Sequence, residues 1–213
     1  TIERTAELAA ANGYQLNTHA IGDRANREIL DLYERVQRGH DGRALRWRIE
    51  HAQVVSPEDR PKFGTYSIIP SVQPTHATSD GPWAEERLGA DRIANAYAYE
   101  DLRKTMGMLA LGTDFPVEGI DPLSTFRAAV IRTDPKGSPQ GGYMPENALS
   151  PEDALRGMTI WNAIATFTEG DLGSLEPGKW ADFVILDTDL ATSLRMDKRV
   201  RVNATYVAGE QVN

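Results

Sequence analysis

Cysteine is absent from the 213 residues. That one absence removes disulfides, Cys-ligated zinc, iron–sulfur clusters and thiol nucleophiles together, without settling the compartment. Positive charge is in deficit: 23 Lys and Arg stand against 31 Asp and Glu, the net charge is −8, and no basic cluster interrupts this balance. Nucleic acid and anionic membrane surfaces are therefore not the expected partners. No apolar run approaches the roughly 18 residues of a membrane span and no signal-peptide pattern opens the chain. The expected compartment is the cytoplasm, although any targeting signal would lie upstream of Thr1. A GxxxxGK[ST] phosphate loop, a GxGxxG turn after a strand and a GxSxG elbow are all missing. So are internal repeats and low-complexity tracts. The initiator Met is missing too. The chain begins Thr1-Ile2-Glu3-Arg4 and enters an alanine-rich helical pattern at once, as a chain starting inside a larger protein would.

What remains is ordinary globular material, 40% hydrophobic and 25% charged, enough for about one domain with a core. Apolar spacing predicts a helix up to Gly13, a strand from Tyr14 to His19 and a helix from Asp23 to Arg38, with Asp23 as its N-cap. A second strand follows from Leu45 to Glu50, a short helix from Ser56-Pro57-Glu58, and a third strand from Tyr66 to Val72. Pro, Gly, Ser and Asp between Gln73 and Gly89 read as a long loop, with helix again near Asp91 to Met106. Met108 to Gly112 is the fourth strand, Leu123 to Ile131 the helix behind it, and Asp134 to Asn147 a Gly/Pro-rich loop. A helix from Ser150 to about Phe167 precedes a change of texture, with strands at Phe183 to Leu186 and Thr205 to Val212. Four strands each followed by helix make a parallel α/β array. Four units are half of an eight-fold (β/α) barrel, and a small doubly wound sheet is the other arrangement this alternation allows.

Four histidines are present: His19, His40, His51 and His76. His19 closes the first strand and His51 the second, and Asp114 follows the fourth in LALGTD. In (β/α) barrels the C-terminal strand ends converge on one mouth, so two imidazoles and a carboxylate there are good ligands for zinc, iron or manganese. The bland alternative is that each is a hydrogen-bonding loop or capping residue. Strand parity puts Gln15, Asn17 and His19 on one face, and Ala110, Gly112 and Asp114 on another that suits a crowded barrel axis. If His51 points inward with Leu45, Trp47 and Ile49, then Arg46, Arg48 and Glu50 face the helices. His76, in QPTHATSD, is a candidate for substrate contact, and His40 a solvent residue.

The segments HAIGD (His19 to Asp23), RIEHAQ (Arg48 to Gln53) and GTDFPV (Gly112 to Val117), in this order, resemble the later metal motifs of the amidohydrolase superfamily. The branch they resemble is that of the N-substituted formamide deformylases. The tail GSLEPGKWADFVILD (Gly173 to Asp187) resembles the return from barrel to small β-sandwich in that superfamily. The resemblance implies an α/β fold: the C-terminal half, about strands five to eight, of a TIM-like (β/α)8 metal-dependent hydrolase barrel over residues 1–168, then the C-terminal β segment of a composite sandwich over 169–213. It implies metal ligation by His19, His51 and Asp114, with Asp114 also the catalytic proton carrier and His76 a substrate-binding residue. The cofactor implied is one or two divalent ions, zinc first, iron or manganese otherwise. The family's His-X-His pair and its bridging lysine or glutamate have no counterpart here and would precede Thr1. The expected reaction is hydrolysis of amide-like, non-peptide C–N bonds in a small-molecule substrate by metal-activated water. The expected partner is the missing N-terminal half of the barrel or a second copy, because a half-barrel leaves open sheet edges. The rivals are a catalytically silent half-barrel and a metal-free lyase or isomerase.

Overall fold

The computed structural model describes residues 1–195 and 199–213. Helix α1 (Ile2–Ala11) is capped by the Thr1 side chain and buries Ala6, Ala9 and Ala10. Strand β1 (Asn17–Ala20) leads into α2 (Asp23–Gln37), which buries Ile29, Leu30, Leu32 and Tyr33. Gly22, not Asp23, occupies the cap position of α2; Asp23 sits in the first turn, where a negative charge complements the helix dipole. A single turn, α3 (Gly42–Leu45), precedes β2 (Arg48–His51). The expected helix at Ser56 starts later, as α4 (Pro61–Thr65), because Pro61 supplies the preset first position. Then come β3 (Ile69–Val72), α5 (Pro74–Leu88), α6 (Ala90–Ile93), α7 (Tyr99–Met106), β4 (Ala110–Leu111) and α8 (Pro122–Val130).

The first four strands form one parallel sheet in the order β1-β2-β3-β4, with Asn17 opposite Arg48, Arg48 opposite Ile69 and Ser71 opposite Ala110. Each strand lies beside its predecessor and the order never reverses. A doubly wound sheet requires a reversal, so this is the singly wound arrangement of a barrel, with the helices on one face. The main core lies between sheet and helices, where Trp47, Ile49, Ile68, Val72 and Leu109 meet Leu30, Tyr33, Phe63 and Leu102. The parity expected for β2 is therefore reversed. Trp47 and Ile49 face the helices, while Arg48 and Glu50 occupy the barrel side, where they pair at 2.9 Å. On that side Ile69 and Ala110 pack on Ala165.

The expected loop from Gln73 to Gly89 is instead the 15-residue helix α5. Pro74 occupies its first turn, where no N–H is needed, and Pro82 is tolerated because Thr75, His76, Ala77 and Ala84 anchor one side in the core. Gly81 is there for space: a Cβ would lie 2.9 Å from the Tyr143 ring. The helix expected from Ser150 is broken at Thr159, whose φ of −128° and ψ of −98° separate α9 (Pro151–Met158) from α10 (Ile160–Ala165). Beyond it, β5 (Phe183–Leu186), α11 (Leu190–Arg195), β6 (Val202–Val207) and β7 (Glu210–Gln211) give a second, antiparallel sheet in the order β5-β6-β7. Helix α11 was not anticipated. The final strand expected from Thr205 is a hairpin, turned at Ala208 and Gly209 with φ of 53° and 82°. No described helix is long and apolar enough to cross a membrane.

Candidate metal centre

Three donor side chains converge at the C-terminal end of the parallel sheet. His51 is the last residue of β2, His76 lies one turn into α5, and Asp114 follows β4. One ligand atom from each lies within 4.8 Å of the other two. His76 Nε2 stands 3.1 Å from Asp114 Oδ2. A tetrahedral zinc with bonds of about 2.1 Å separates its ligand atoms by about 3.4 Å, so the trio is close to the spacing one ion requires. His19 sits at the end of β1, exposed, its ring edge-on to His51 with centroids 4.5 Å apart. It lies outside the trio. His51 and His76 are themselves edge-on at 5.7 Å, so the three imidazoles form a row across the mouth. His40 is exposed in the turn after α2, away from them.

Local backbone explains how two of these side chains reach the mouth. Alternation along β2 would turn His51 toward the helices, but His51 and Ala52 have φ of 75° and 43°, a left-handed bend that re-aims the ring. Asp114 is left-handed as well, with φ of 58°. His51 Nδ1 lies 2.8 Å from Gln73 Oε1. The Gln73 amide nitrogen points to Ser71 O, so Oε1 accepts, the His51 proton is on Nδ1, and Nε2 keeps its lone pair. Burial, and then the neighbouring His19, pull the His51 pKa below its ordinary value, which favours the neutral ring a metal needs.

Around His76 stand three carboxylates. Besides Asp114 on the Nε2 side, Asp80 Oδ2 is 3.9 Å and Glu118 Oε1 3.8 Å from Nδ1. Asp80 Oδ2 accepts from Tyr97 OH at 3.1 Å and from Gln53 Nε2 at 3.2 Å. Burial raises the Tyr97 phenol pKa, so that hydroxyl stays a donor. Gln73, Asp80, Glu118 and Gln53 were not singled out as site residues from the sequence. The i,i+4 spacing of His76 and Asp80 would have found one of them, had the segment been read as helix. Of the aromatic side chains near these motifs, Tyr97 and Tyr99 are core, while Trp83 and Phe115 are exposed.

Two imidazoles and a carboxylate, one ring already carrying its proton away from the centre, form a donor set that fits zinc, iron or manganese. Fold and site together define a (β/α)-barrel protein with a candidate divalent-metal centre at the strand ends. A profile described as the amidohydrolase family matches residues 1–213. The sequence is 42% identical over 205 residues to Protein LONG AFTER FAR-RED 3 of Arabidopsis thaliana, across 96% of this chain and 35% of that protein. It is 27% identical over 209 residues to the N-substituted formamide deformylase of Arthrobacter pascens, across 96% of this chain and 37% of that one. An uncharacterized metal-dependent hydrolase from Pyrococcus horikoshii superimposes with a TM-score of 0.79 at 34% identity, over 93% of this chain and 39% of its own. This chain belongs to the amidohydrolase family. It spans 35% and 37% of the length of the two curated relatives.

Proposed function

We propose that the protein is a metal-dependent hydrolase of non-peptide C–N bonds, acting on small N-acyl or N-formyl amines. The observation that carries the metal-dependent part of this reading, whichever histidine is the third ligand, is the convergence of His51, His76 and Asp114 within 4.8 Å at the C-terminal strand ends. Similarity to an N-substituted formamide deformylase supports the substrate class. His19, His51 and Asp114 are assigned as ligands of one or two divalent ions, zinc first, on a barrel portion comprising residues 1–168; residues 169–213 form the β segment of a composite sandwich. When bound, such an ion polarises a carbonyl and lowers the pKa of water toward about 7. Asp114 takes the proton released as water adds to the carbonyl carbon, and delivers it to the amine nitrogen as the C–N bond breaks. His76, with Nε2 beside Asp114, faces the scissile group. His51 is held in one tautomer by Gln73.

The second reading exchanges His19 for His76 as third ligand, and the compact trio favours it. Elemental analysis of the purified protein separates the two. Near-stoichiometric metal that falls in His51→Ala and His19→Ala but persists in His76→Ala supports the first; the reverse pattern supports the second. No metal after zinc is offered leaves the silent half-barrel. An open cavity of about 1240 Å³ runs between the barrel face, at Arg48, Ser71 and Ala110, and the second sheet, at Phe183, Val184 and Leu186. A further barrel half or a second copy of the chain is the proposed partner for this open face. Hydrolysis gained on adding a half that carries His-X-His would support the enzyme over the silent module.

A further inference from the structure

Asparagine is a poor helix residue, yet α2 carries one at full burial, with 0% of Asn26 exposed. An apolar side chain of that size would serve the core better, so the amide is held there for its hydrogen bonds. They run from one atom. Asn26 Nδ2 lies 3.2 Å from Ala20 O, 3.2 Å from Ile21 O, 3.0 Å from Gly22 O and 3.1 Å from Val54 O. Asn26 Oδ1 has no partner among the described residues, so donation is all the polar work this side chain does. Its four acceptors belong to two segments, the one that follows His19 and the one that follows His51. Ala20 stands opposite His51 in the β1–β2 ladder, and Val54 is the third residue beyond His51. Val54 N also donates to Ile21 O at 2.9 Å. The left-handed pair His51 and Ala52, with φ of 75° and 43°, is thus fastened at both ends to one amide.

We infer that Asn26 is a positioning residue of the candidate centre: it clamps the two strand-end segments and so holds the bend that aims His51 at the mouth beside His19. The inference rests on the proposed reading in which His51 is a metal ligand, an assignment shared by both ligand sets. Removing the donor leaves buried carbonyls facing one another, and the strand-end segments move apart to reach water. The bend opens with them, and alternation along β2 returns the His51 ring toward the helices. Groups that orient a ligand without touching the ion are worth about 10- to 100-fold in metal affinity.

Two variants of similar size test this: Asn26→Asp replaces the donor with an oxygen, and Asn26→Leu removes both polar atoms without adding charge. Tyr33→Phe on the same helix is the control. The Tyr33 hydroxyl ties down the start of the same strands, 2.6 Å from Thr18 Oγ1 and 3.3 Å from both Leu16 O and Arg48 O. In metal-free protein the His19 and His51 rings, with centroids 4.5 Å apart, should give a direct nuclear Overhauser effect between their ring protons. His19→Ala and His51→Ala assign it. The expected result is loss of that contact in both Asn26 variants and zinc affinity lower by about 10-fold or more in a chelator competition. Neither change is expected in Tyr33→Phe. An unchanged contact in the Asn26 variants overturns the inference, as does an equal loss in Tyr33→Phe or a lost contact with zinc affinity intact. Should Asn26→Asp fail to fold, Asn26→Leu reads the same contact. Failure of the wild type to bind zinc would count against the proposed function, and the ring contact would still decide the role of Asn26.

Discussion

Two of the three converging donors, His51 and Asp114, stand on left-handed backbone. A non-glycine residue held there costs about 1–2 kcal/mol, which the surrounding fold must offset. At His51 the bend turns the ring to the mouth, away from the side that strand alternation would give it. Replacing Asp114 separates the two contributions. In metal-free protein, Asp114→Gly should be more stable than Asp114→Ala by about 1 kcal/mol in urea unfolding, because glycine alone accepts φ of 58° without a Cβ penalty. Equal stability would show that the loop relaxes and stores no strain. For chemistry the conservative change is more telling. On the proposed mechanism, Asp114→Asn keeps shape and a donor oxygen but cannot carry the proton, so kcat should fall about 10²- to 10⁴-fold with metal still bound, measured by turnover alongside elemental analysis.

At the scale of elements, the barrel strands are only four residues long or shorter, and their positions depend on close helix packing. Gly157 in α9 is the tightest example against a strand: a Cβ would meet Leu111 Cγ at 2.6 Å and Leu109 O at 3.1 Å. Helix propensity alone favours Gly157→Ala by about 1 kcal/mol. Overpacking against β4 outweighs it, so the variant should lose about 1–3 kcal/mol, read as a lower urea midpoint. A gain would mean that α9 can move away from β4. The strand–helix rhythm of residues 14 to 131 was legible because each unit is short, amphipathic and bounded by Gly or Pro. Helix α5 was not legible, since Pro74, Gly81 and Pro82 argue for a loop locally and only burial of Thr75, His76 and Ala77 overrides them. The same holds within the site. His51 and Asp114 were singled out because ligands in barrels stand at strand ends, but the parity of β2 was misread, since the left-handed turn that re-aims His51 leaves no mark in RIEHAQ. The placement of Asp80 beside His76 was not legible because the helix that carries both was read as loop.

Across the whole molecule, the two ends of the parallel sheet do different work. The candidate centre occupies the C-terminal end, while the opposite end is tied down by a clasp of polar contacts beneath α10. Ala165 O accepts from Gln15 Nε2 at 2.8 Å and from Arg48 Nη1 at 3.0 Å. Arg46 donates to Ile164 O at 2.6 Å, grips both Glu169 oxygens at 2.9 and 2.6 Å, and lies over the Phe167 ring at 4.5 Å. This two-pronged ion pair, with side chains 23% and 35% exposed, joins the start of β2 to the segment leading toward the second sheet. Its hydrogen bonds hold the Glu169 pKa below the ordinary carboxylate value. A carboxyl whose folded pKa is depressed contributes stability that is complete above its unfolded pKa, near 4.3, and disappears as pH falls through the folded value. Glu169→Gln should therefore lower Tm at pH 7, and its melting curve should converge with that of the wild type as pH falls below about 4. Metal content at pH 7 should be the same in both, because the clasp and the centre sit at opposite ends of the strands. A Tm difference that persists unchanged to pH 3 would place the effect in packing on Phe167 rather than in charge. A loss of metal in Glu169→Gln would show that the two ends are coupled through the short strands between them.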